Sequence, residues 1–526
     1  MGLETLDYVV LGIYALSLVV IATLVSREKA GHKKDTEDYF LAGKALPWWA
    51  IGASLIAANI SAEQIIGMSG SGFAVGMAIA SYEWMAAITL ILVGKFALPI
   101  FLKRGIYTMP QFLESRFGPS VKYVMSVFWI VLYTVVNLTT IMWLGATAIN
   151  TLTGLSMFHG MMALGAFAAA YSLYGGLKAV ALTDIIQVVL LVFGGILISW
   201  IALGQISSTG SPVDGFGVLM SELPGKFDMI LSRDNPEYKN LPGIGVLLGG
   251  MWIMNISYWG FNQYIIQRAL GAKDIKEAQS GILFAAFLKM LMPFIIVIPG
   301  IAAAYLVANG TVPAFERSDQ AYPTMMGFAP VGIKGLIFAA LVAAIVSSIG
   351  SMMNSISTIF TMDLMKPLFM KNASEQRLVT TGRIVSFGAL VAALFMATPL
   401  LGSADQVFQK IQNWTGLVTP GIVAIFTLGM FWKRATEIGG LAAVISSVAL
   451  SALWPNLFPD MPFMDRVGVV FLLAMVIGVV VSFLQKQQSE EKVVDLAGIS
   501  FRTGTSFNIG AVIITLMLFG LYGYWW

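Results

Sequence analysis

One stretch of the sequence, Gly52 to Gly72, has the length of a membrane-spanning helix but a polar middle. It reads GASLIAANISAEQIIGMSGSG, and its apolar flanks enclose four polar residues: Asn59, Ser61, Glu63 and Gln64. A charged side chain at the centre of a bilayer costs about 3 kcal/mol, so this segment is a poor lipid-facing helix. Two structures remain open: a helix packed deep inside a bundle, or a helix that breaks here and lines a cavity with its freed carbonyls. We favour the broken helix.

The composition places this stretch in a membrane protein. The chain has 526 residues, of which 57% are hydrophobic and 11% charged, and its mean hydropathy is +0.81. Soluble domains are about half apolar and a quarter charged. The chain has no cysteine, which excludes disulfides and thiolate chemistry. Its two histidines, His32 and His159, lie far apart in the sequence and neither belongs to a cluster with the spacing of metal ligands.

A helix needs about 20 apolar residues to span a bilayer, and fourteen segments meet this requirement. They lie near residues 7–26, 47–70, 74–102, 121–150, 156–175, 177–203, 242–267, 280–308, 330–365, 379–400, 405–432, 436–456, 466–485 and 506–525. With both ends outside, most of the 31 Lys and Arg residues fall in inside loops, as the positive-inside rule requires. Because the basic cluster follows the first apolar run, we expect that run to be a retained helix and not a cleaved signal. The sequence predicts an all-α, multi-pass protein of the cell (inner) membrane, with N- and C-termini outside.

Ionisable and amide side chains accumulate inside these segments. The ionisable ones include Glu83, Asp184 and Lys289, and such residues usually face a cavity or a partner. Four amides at similar depth suit a neutral polyhydroxy ligand: Asn59, Gln64, Asn255 and Gln412. Three aromatic residues could give a sugar a platform: Tyr258, Trp259 and Phe408. The alternatives are a purely structural Glu83–Lys289 pair and aromatic residues that only pack.

The seventh predicted span resembles the second, because glycines flank its polar centre of Asn255, Ser257 and Tyr258. Interrupted helices at corresponding places in two halves indicate the binding site of a secondary transporter. Two discontinuous helices would each begin a five-helix unit, which fits an inverted repeat. The predicted organisation is an N-terminal extra helix and inside loop (1–46), a first repeat (47–203), an external loop (204–241), a second repeat (242–432) and three extra helices (433–526).

The ninth predicted span carries a face of small residues that includes Ser347 and Ser348. Such faces commonly serve close helix packing. Serine hydroxyls beside unwound carbonyls can also bind a sodium ion without a fixed charge. The residues alone leave these two interpretations open.

Six ordered sequence blocks point to a known family. They are DYFLAGKALPWWAIGASLIAANISAEQ, ASYEWM, YSLYGGLKAVALTDIIQ, YWGFNQYIIQR, AAIVSSIGSMMNS and FQKIQNWTGLVTPG. With them the chain resembles the sodium/solute symporter family, and within it the bacterial sodium/galactose symporters. The resemblance runs from the first predicted helix to the last.

This resemblance implies a fold with a five-plus-five inverted repeat and extra helices at both ends. It implies a sugar site with these members: Asn59, Gln64, Glu83, Asn255, Tyr258, Lys289 and Gln412. Tyr258 would stack on the sugar and form the inner gate, and Met68 and Phe408 would close the outer side. The co-transported sodium would bind backbone oxygens of Ala57, Ile60 and Ala344 and the hydroxyls of Ser347 and Ser348. Asp184 would lie on the path by which sodium leaves.

Two positions depart from the family pattern. Ala86 replaces a serine that contacts sugar, and the loss of one neutral hydrogen bond costs about 1 kcal/mol. Gly350 replaces a serine that helps some relatives bind a second sodium, so we expect one sodium per sugar.

The predicted function is sodium-coupled import of a hexose by alternating access, with hexose, sodium and the lipid bilayer as partners and no nucleic acid. The oligomeric state stays open. The alternatives are transport of sialic acid, a polyol or an amino acid, and, further off, a channel or sensor. A carboxylate substrate would need a cationic clamp; Glu83 argues against one, and Lys289 leaves the question open. An enzyme is not expected, because the sequence shows no nucleophile–base or metal constellation.

Overall fold

The computed structural model describes residues 2–26, 46–106, 108–486 and 490–526. For residues 18, 19, 21–26, 171–185 and 490, only the backbone is described. The described chain is a bundle of helices, and within it an isolated bridge pairs Leu46 with Ala272. The all-helical prediction is confirmed.

The first half of the chain contains α1 (Thr5–Ser26), α2 (Trp48–Asn59), α3 (Glu63–Ala74), α4 (Met77–Arg104), α5 (Met109–Arg116), α6 (Pro119–Thr153), α7 (Met157–Ile206) and α8 (Pro212–Glu222). The middle contains α9 (Ile244–Leu248), α10 (Gly250–Phe261), α11 (Gln263–Leu270), α12 (Ile275–Ala308), α13 (Ala321–Met326) and α14 (Ile333–Leu368). The last part contains α15 (Glu375–Leu401), α16 (Val407–Thr415), α17 (Thr419–Phe431), α18 (Glu437–Leu457), α19 (Phe463–Phe483) and α20 (Thr505–Tyr524).

Among the described residues, nine helices are long and apolar enough to cross a membrane, and twelve if each sharply bent pair counts as one span. Two shorter apolar helices, Thr5–Ser17 and Met157–Ala170, add to these. The chain is therefore a multi-pass membrane protein, and the count of fourteen spans stays a prediction.

The spans predicted at 156–175 and 177–203 form one continuous helix, α7, of 50 residues. No proline separates the two segments, so nothing in the backbone chemistry forces the helix to stop between them. The side chain of Asp184 falls outside the described residues, and with it the predicted role in sodium exit.

Within the described part of the chain three spans are broken, whereas the sequence analysis expected two. The chain bends by 60° between α2 and α3 and by 80° between segments Pro236–Leu248 and Gly250–Phe261, where interruptions were predicted. The third bend, of 44°, separates α16 from α17. Pro420 lies in the first turn of α17 and has no N–H to continue the helix from α16, which explains this additional break.

Helix α12 lies directly on the broken α2–α3 pair. A Cβ at Gly300 would come within 2.1 Å of the Ser69 carbonyl oxygen, so only glycine permits this approach. Both ends of the pair are anchored: Glu277 of α12 accepts the Trp48 N–H at 2.6 Å, and the Lys226 ammonium donates to the Phe73 carbonyl at 2.9 Å. A cation at the C-terminus of α3 also complements the helix dipole. The broken helix is thus held in place from both sides of the bundle.

Gly76 joins α3 to α4 in a backbone conformation reserved for glycine. Its φ is +97°, and a Cβ there would lie 2.3 Å from the Lys226 carbonyl oxygen. We expect Gly76→Ala to lower the free energy of unfolding by about 1–3 kcal/mol, because the strained conformation and the clash add together. The measurement is the midpoint of thermal unfolding in detergent micelles. Gly520→Ala is the control, since that position has open space around it; equal midpoints for the two variants would contradict the prediction.

Candidate functional site

A cavity lies beside the break between α2 and α3 and against α10. Its walls come from α2, α3, α4, α6, α10, α16 and α17. Six of the seven predicted sugar-site residues line it: Asn59, Gln64, Glu83, Asn255, Tyr258 and Gln412. Met68 and Phe408, predicted to close the outer side, line it as well. Residues from distant parts of the chain therefore meet in one place.

Lys289 is the predicted sugar-site residue that does not line the cavity. Its side chain is fully buried, and its ammonium bonds both the Glu83 carboxylate and the Asn59 side-chain oxygen. The ammonium also lies 4.9 Å from the centre of the Trp259 ring, a cation–π contact. A buried cation needs such partners, and they hold Lys289 behind Glu83 and Asn59. The structural pair considered in the sequence analysis is therefore present, and its anion still faces the cavity.

Tyr258 is tied to the break in α2. The Asn59 amide donates to the Tyr258 hydroxyl at 3.0 Å, and this hydroxyl lies 2.5 Å from that of Tyr264 in α11. The rings of Tyr258 and Trp259 meet edge to face at 5.1 Å. These contacts fix the aromatic ring at the cavity wall, where a ring face could meet a ligand.

One end of the cavity is closed by apolar side chains. Met68 and Phe408 are almost fully buried, and the Tyr82 ring meets Phe408 edge to face at 5.1 Å. A Cβ at Gly67 would lie 3.0 Å from the Cβ of Phe408, so α3 and α16 touch here. The Tyr82 hydroxyl has no hydrogen-bond partner although it is buried.

Four buried polar atoms at the cavity lack a protein partner: the Tyr82 hydroxyl, Asn255 Nδ2, Asn137 Oδ1 and Glu63 Oε1. Nearly all buried polar groups in proteins are hydrogen-bonded, so such a cluster indicates a place for a polar ligand or water. The set contains both donors and acceptors. A hydroxyl group, which donates and accepts, can satisfy either kind.

The predicted ion site lies where α14 meets the end of α2. The Ser348 hydroxyl donates to the Ala58 carbonyl at 3.4 Å. At the break, the Ser61 N–H bonds the Asn59 carbonyl at 2.8 Å instead of continuing the helical pattern to Ala57. One hydroxyl and one carbonyl oxygen thus meet in a buried place, and a sodium ion would need several such oxygen ligands. The other predicted ligands are also buried: Ala57, Ile60, Ala344 and Ser347.

A buried arginine next to this place, Arg268, was not singled out by the sequence analysis, because it lies one residue beyond the span predicted at 242–267. It lies in α11, 1% exposed, and donates to the hydroxyls of Ser54 in α2 and Ser351 in α14, each at 2.7 Å. Ser351 in turn donates to the Ser347 carbonyl at 2.8 Å. Its nearness to a predicted helix end made Arg268 look like an ordinary loop cation.

Ala86, the expected departure from the family's sugar contact, is buried and is not among the residues that line the cavity. Glu63, for which the sequence offered no role, does line it. Glu63 begins α3, where a negative charge complements the helix dipole.

The segment between α12 and α13 packs against the closed end of the cavity. Asp319 is 1% exposed and accepts the N–H of Val407, the first residue of α16, at 3.2 Å. A Cβ at Gly70 of α3 would lie 2.7 Å from Asp319 Oδ1. Burial, and to a smaller extent the neighbouring Asp405, raises the pKa of the Asp319 carboxyl to about 7, against the opposing effects of the Val407 N–H and Arg317.

Residues 39–447 match the model of the sodium:solute symporter family. The chain belongs to this family.

The family's relatives cover different shares of the chain. A sodium/glucose cotransporter of Vibrio parahaemolyticus is 48% identical, over 100% of this chain and 99% of its own length. A human sodium/myo-inositol cotransporter 2 is 34% identical over 85% of this chain and 69% of its own length. A solved sodium-coupled sialic acid symporter, in a substrate-bound outward-open state, covers 93% of this chain and 99% of its own with a TM-score of 0.80 at 24% identity. That structure shares the fold.

The buried ion pair of this family member can be tested by its stability. Lys289→Met leaves the Glu83 carboxylate buried without its cation, and we expect a loss of about 3–5 kcal/mol. The double variant Lys289→Met, Glu83→Leu removes both charges and should recover most of this loss. Lys239→Met, which breaks an exposed pair with Asp460, should change stability by less than about 1 kcal/mol. Thermal unfolding in detergent measures all three, and a double variant no more stable than Lys289→Met would refute the argument.

Asp319 should make stability depend on pH. Because its pKa is about 7 in the folded protein and near the ordinary 3.8 when unfolded, the folded state binds a proton that the unfolded state does not between these values. Relative to Asp319→Asn, the wild type should therefore become more stable as pH falls from about 8 to about 5. The difference between their unfolding midpoints measures this effect, and a difference independent of pH would show that Asp319 does not titrate in this range.

Proposed function

We propose that the protein is a secondary active symporter that couples sodium entry to the import of a hexose, galactose or glucose. The observation that carries the proposal is the cavity whose buried polar atoms on α3, α4, α6 and α10 lack protein partners. Further support comes from the relative in Vibrio parahaemolyticus, which bears the name sodium/glucose cotransporter and aligns along the whole chain.

The chemistry of the cavity favours a neutral substrate over an anion. No Lys or Arg is among the described residues that line it, and the nearby Lys289 is already neutralised by Glu83. A carboxylate such as that of sialic acid would therefore enter without a cationic partner, at a high desolvation cost. Hydroxyl groups can instead bond the amides of Asn59, Gln64, Asn255 and Gln412 and the Glu83 carboxylate, while the Tyr258 ring offers an apolar face.

A cyclic polyol is the second candidate substrate. The human relative of 34% identity is named a sodium/myo-inositol cotransporter, and an inositol ring presents the same kind of hydroxyl groups. Hydroxyl-binding amides alone do not separate the two substrates.

For the co-transported sodium we propose the junction of α2 and α14. The carbonyls of Ala57, Ile60 and Ala344 and the hydroxyls of Ser347 and Ser348 would supply its oxygen ligands. The support is the released backbone at residues 60–62 and the Ser348 hydroxyl directed at the Ala58 carbonyl. An ion there would join the first broken span to α14.

The closed end at Met68 and Phe408 would be the outer gate, and Tyr258 would be the inner gate. This assignment uses the predicted orientation, with both chain ends outside the inner membrane. Sodium and sugar would enter from outside, and rocking of the two repeats would release them inside.

One sodium per sugar is sufficient for strong accumulation. A membrane potential of 100 mV contributes about 2.3 kcal/mol per charge, and a tenfold sodium gradient about 1.4 kcal/mol. Together they would sustain a hexose gradient of roughly several hundred-fold.

The proposal is tested by uptake of radiolabelled galactose, glucose, myo-inositol and sialic acid into proteoliposomes, with and without an inward sodium gradient. We expect sodium-dependent uptake of galactose or glucose. Hexose uptake that is independent of the sodium gradient would contradict the proposed coupling. Preferential uptake of myo-inositol would favour a cyclic polyol as the substrate.

The sodium site gives a sharper prediction. Ser348→Ala should remove one ligand oxygen and raise the sodium concentration for half-maximal uptake at least tenfold, or abolish uptake, while the protein stays folded. The control is Ser355→Ala on the same helix: that buried hydroxyl also makes one long bond, 3.4 Å, to Gln267. Ordinary sodium activation in Ser348→Ala would remove this serine from the site.

A further inference from the structure

Glu63 and Asn137 line the cavity but have no place in the proposed sugar and sodium sites. Glu63 begins α3 and Asn137 lies in α6, and each is 5% exposed. The Asn137 side chain hydrogen-bonds the Glu63 carboxylate. This contact leaves Glu63 Oε1 and Asn137 Oδ1, both acceptors, without a partner.

A structural role accounts for only part of this arrangement. No side-chain hydrogen bond from the N-cap residue closes the start of α3, and the Ser61 hydroxyl accepts the Glu63 N–H at 3.3 Å, so capping does not explain the Glu63 carboxylate. A charge in the first turn suits the helix dipole, but that effect does not require a free, buried oxygen. Leaving a buried acceptor unpaired is costly, and here two lie at one cavity wall.

We propose that Glu63 and Asn137 form a second hydroxyl-binding subsite of the cavity, which accepts O–H donors of the polyhydroxy substrate. It rests on the proposed function and extends it. Glu83, the other carboxylate at the cavity, lies on α4 and is bound to Lys289, whereas the Glu63–Asn137 wall is built by α3 and α6.

The unpaired oxygens of Glu63 and Asn137 accept hydrogen bonds, so they favour a substrate group that donates one. A hydroxyl group can donate to either oxygen and still accept a bond from elsewhere, as sugar hydroxyls do. A cation would need several more oxygen ligands than these two. An apolar substituent would leave both acceptors unsatisfied and would be rejected. The subsite would therefore make the transporter demand a hydroxyl at a particular position of the ring.

The test compares hexose with its 2-, 3-, 4- and 6-deoxy analogues as substrates for sodium-dependent uptake in proteoliposomes. In the wild type, removal of the hydroxyl that meets the subsite should raise the half-saturating concentration roughly tenfold or more, because the analogue leaves buried acceptors without a donor. In Asn137→Leu the increase in half-saturating concentration caused by removal of that one hydroxyl should fall below about twofold. The increases caused by removal of the other hydroxyls should stay unchanged. Glu63→Gln, which keeps one acceptor oxygen and replaces the other by an amide nitrogen, should give an intermediate increase.

Asn354→Leu is the matched control. Asn354 is also a buried amide with an unpaired side-chain oxygen, but it lies in α14 and does not line the cavity. In Asn354→Leu the ratio of half-saturating concentrations between each deoxy analogue and the hexose should be the same as in the wild type. If these ratios were unchanged in both Asn137→Leu and Glu63→Gln, the subsite would be overturned. It would also be overturned by a tenfold rise in the half-saturating sodium concentration with unchanged sugar ratios, because that result would make the two residues cation ligands.

Failure of the proposed function would look different. It would appear in the wild type itself, as hexose uptake that is absent or independent of sodium. Should Asn137→Leu fail to fold, Glu63→Gln carries the test alone, since it changes one atom type and no volume; an unreduced increase in half-saturating concentration in that variant would then overturn the subsite.

Discussion

One buried cation, the Lys289 ammonium of α12, joins three of the helices that build the cavity, α2, α4 and α10. It is completely enclosed, and it bonds Glu83 of α4 and Asn59 of α2 while resting over the ring of Trp259 in α10. Removal of an ion from water costs several kcal/mol, which is recovered only while all the partners stay in place. If one of the four helices that carry these residues moved away, the ammonium would lose a partner and its desolvation energy would no longer be recovered. The same contacts hold Glu83 and Asn59 at the cavity wall.

The broken span α2–α3 is possible because the released backbone groups find partners inside the bundle. At membrane depth each unsatisfied group would cost several kcal/mol. Here the Ser348 hydroxyl bonds the Ala58 carbonyl, and the Ser61 side chain accepts the Glu63 N–H. Close contact with α12, which Gly300 permits, shields the pair from lipid. A break that would be prohibitive against lipid therefore becomes the place where oxygen atoms gather.

Sequence reasoning was most reliable where a polar residue interrupted an apolar run. Such residues predicted the breaks near Ser61 and before Asn255, because their presence in a span has few explanations. It missed the break before Thr419, where only the position of Pro420 carried the signal. It missed the burial of Arg268, because proximity to a helix end does not reveal whether a cation faces water. The pairing of Glu63 with Asn137 depends on how α3 packs against α6, and spacing along the chain does not encode that contact. Lys289 was recognised as unusual, but its place behind Glu83 is a property of packing.

Asn59 connects the parts of the proposed mechanism. Its side-chain oxygen bonds Lys289, its amide donates to the Tyr258 hydroxyl, and its carbonyl accepts the Ser61 N–H at the break. The carbonyls proposed to bind sodium, those of Ala57 and Ile60, flank it in the chain. An ion that draws these carbonyls together would therefore fix Asn59, and with it the gate tyrosine and one wall of the sugar site. Because such coupling is reciprocal, sugar held by Asn59 would in turn tighten sodium binding. A single amide at the end of α2 would thus be enough to make the affinities for the two substrates depend on each other.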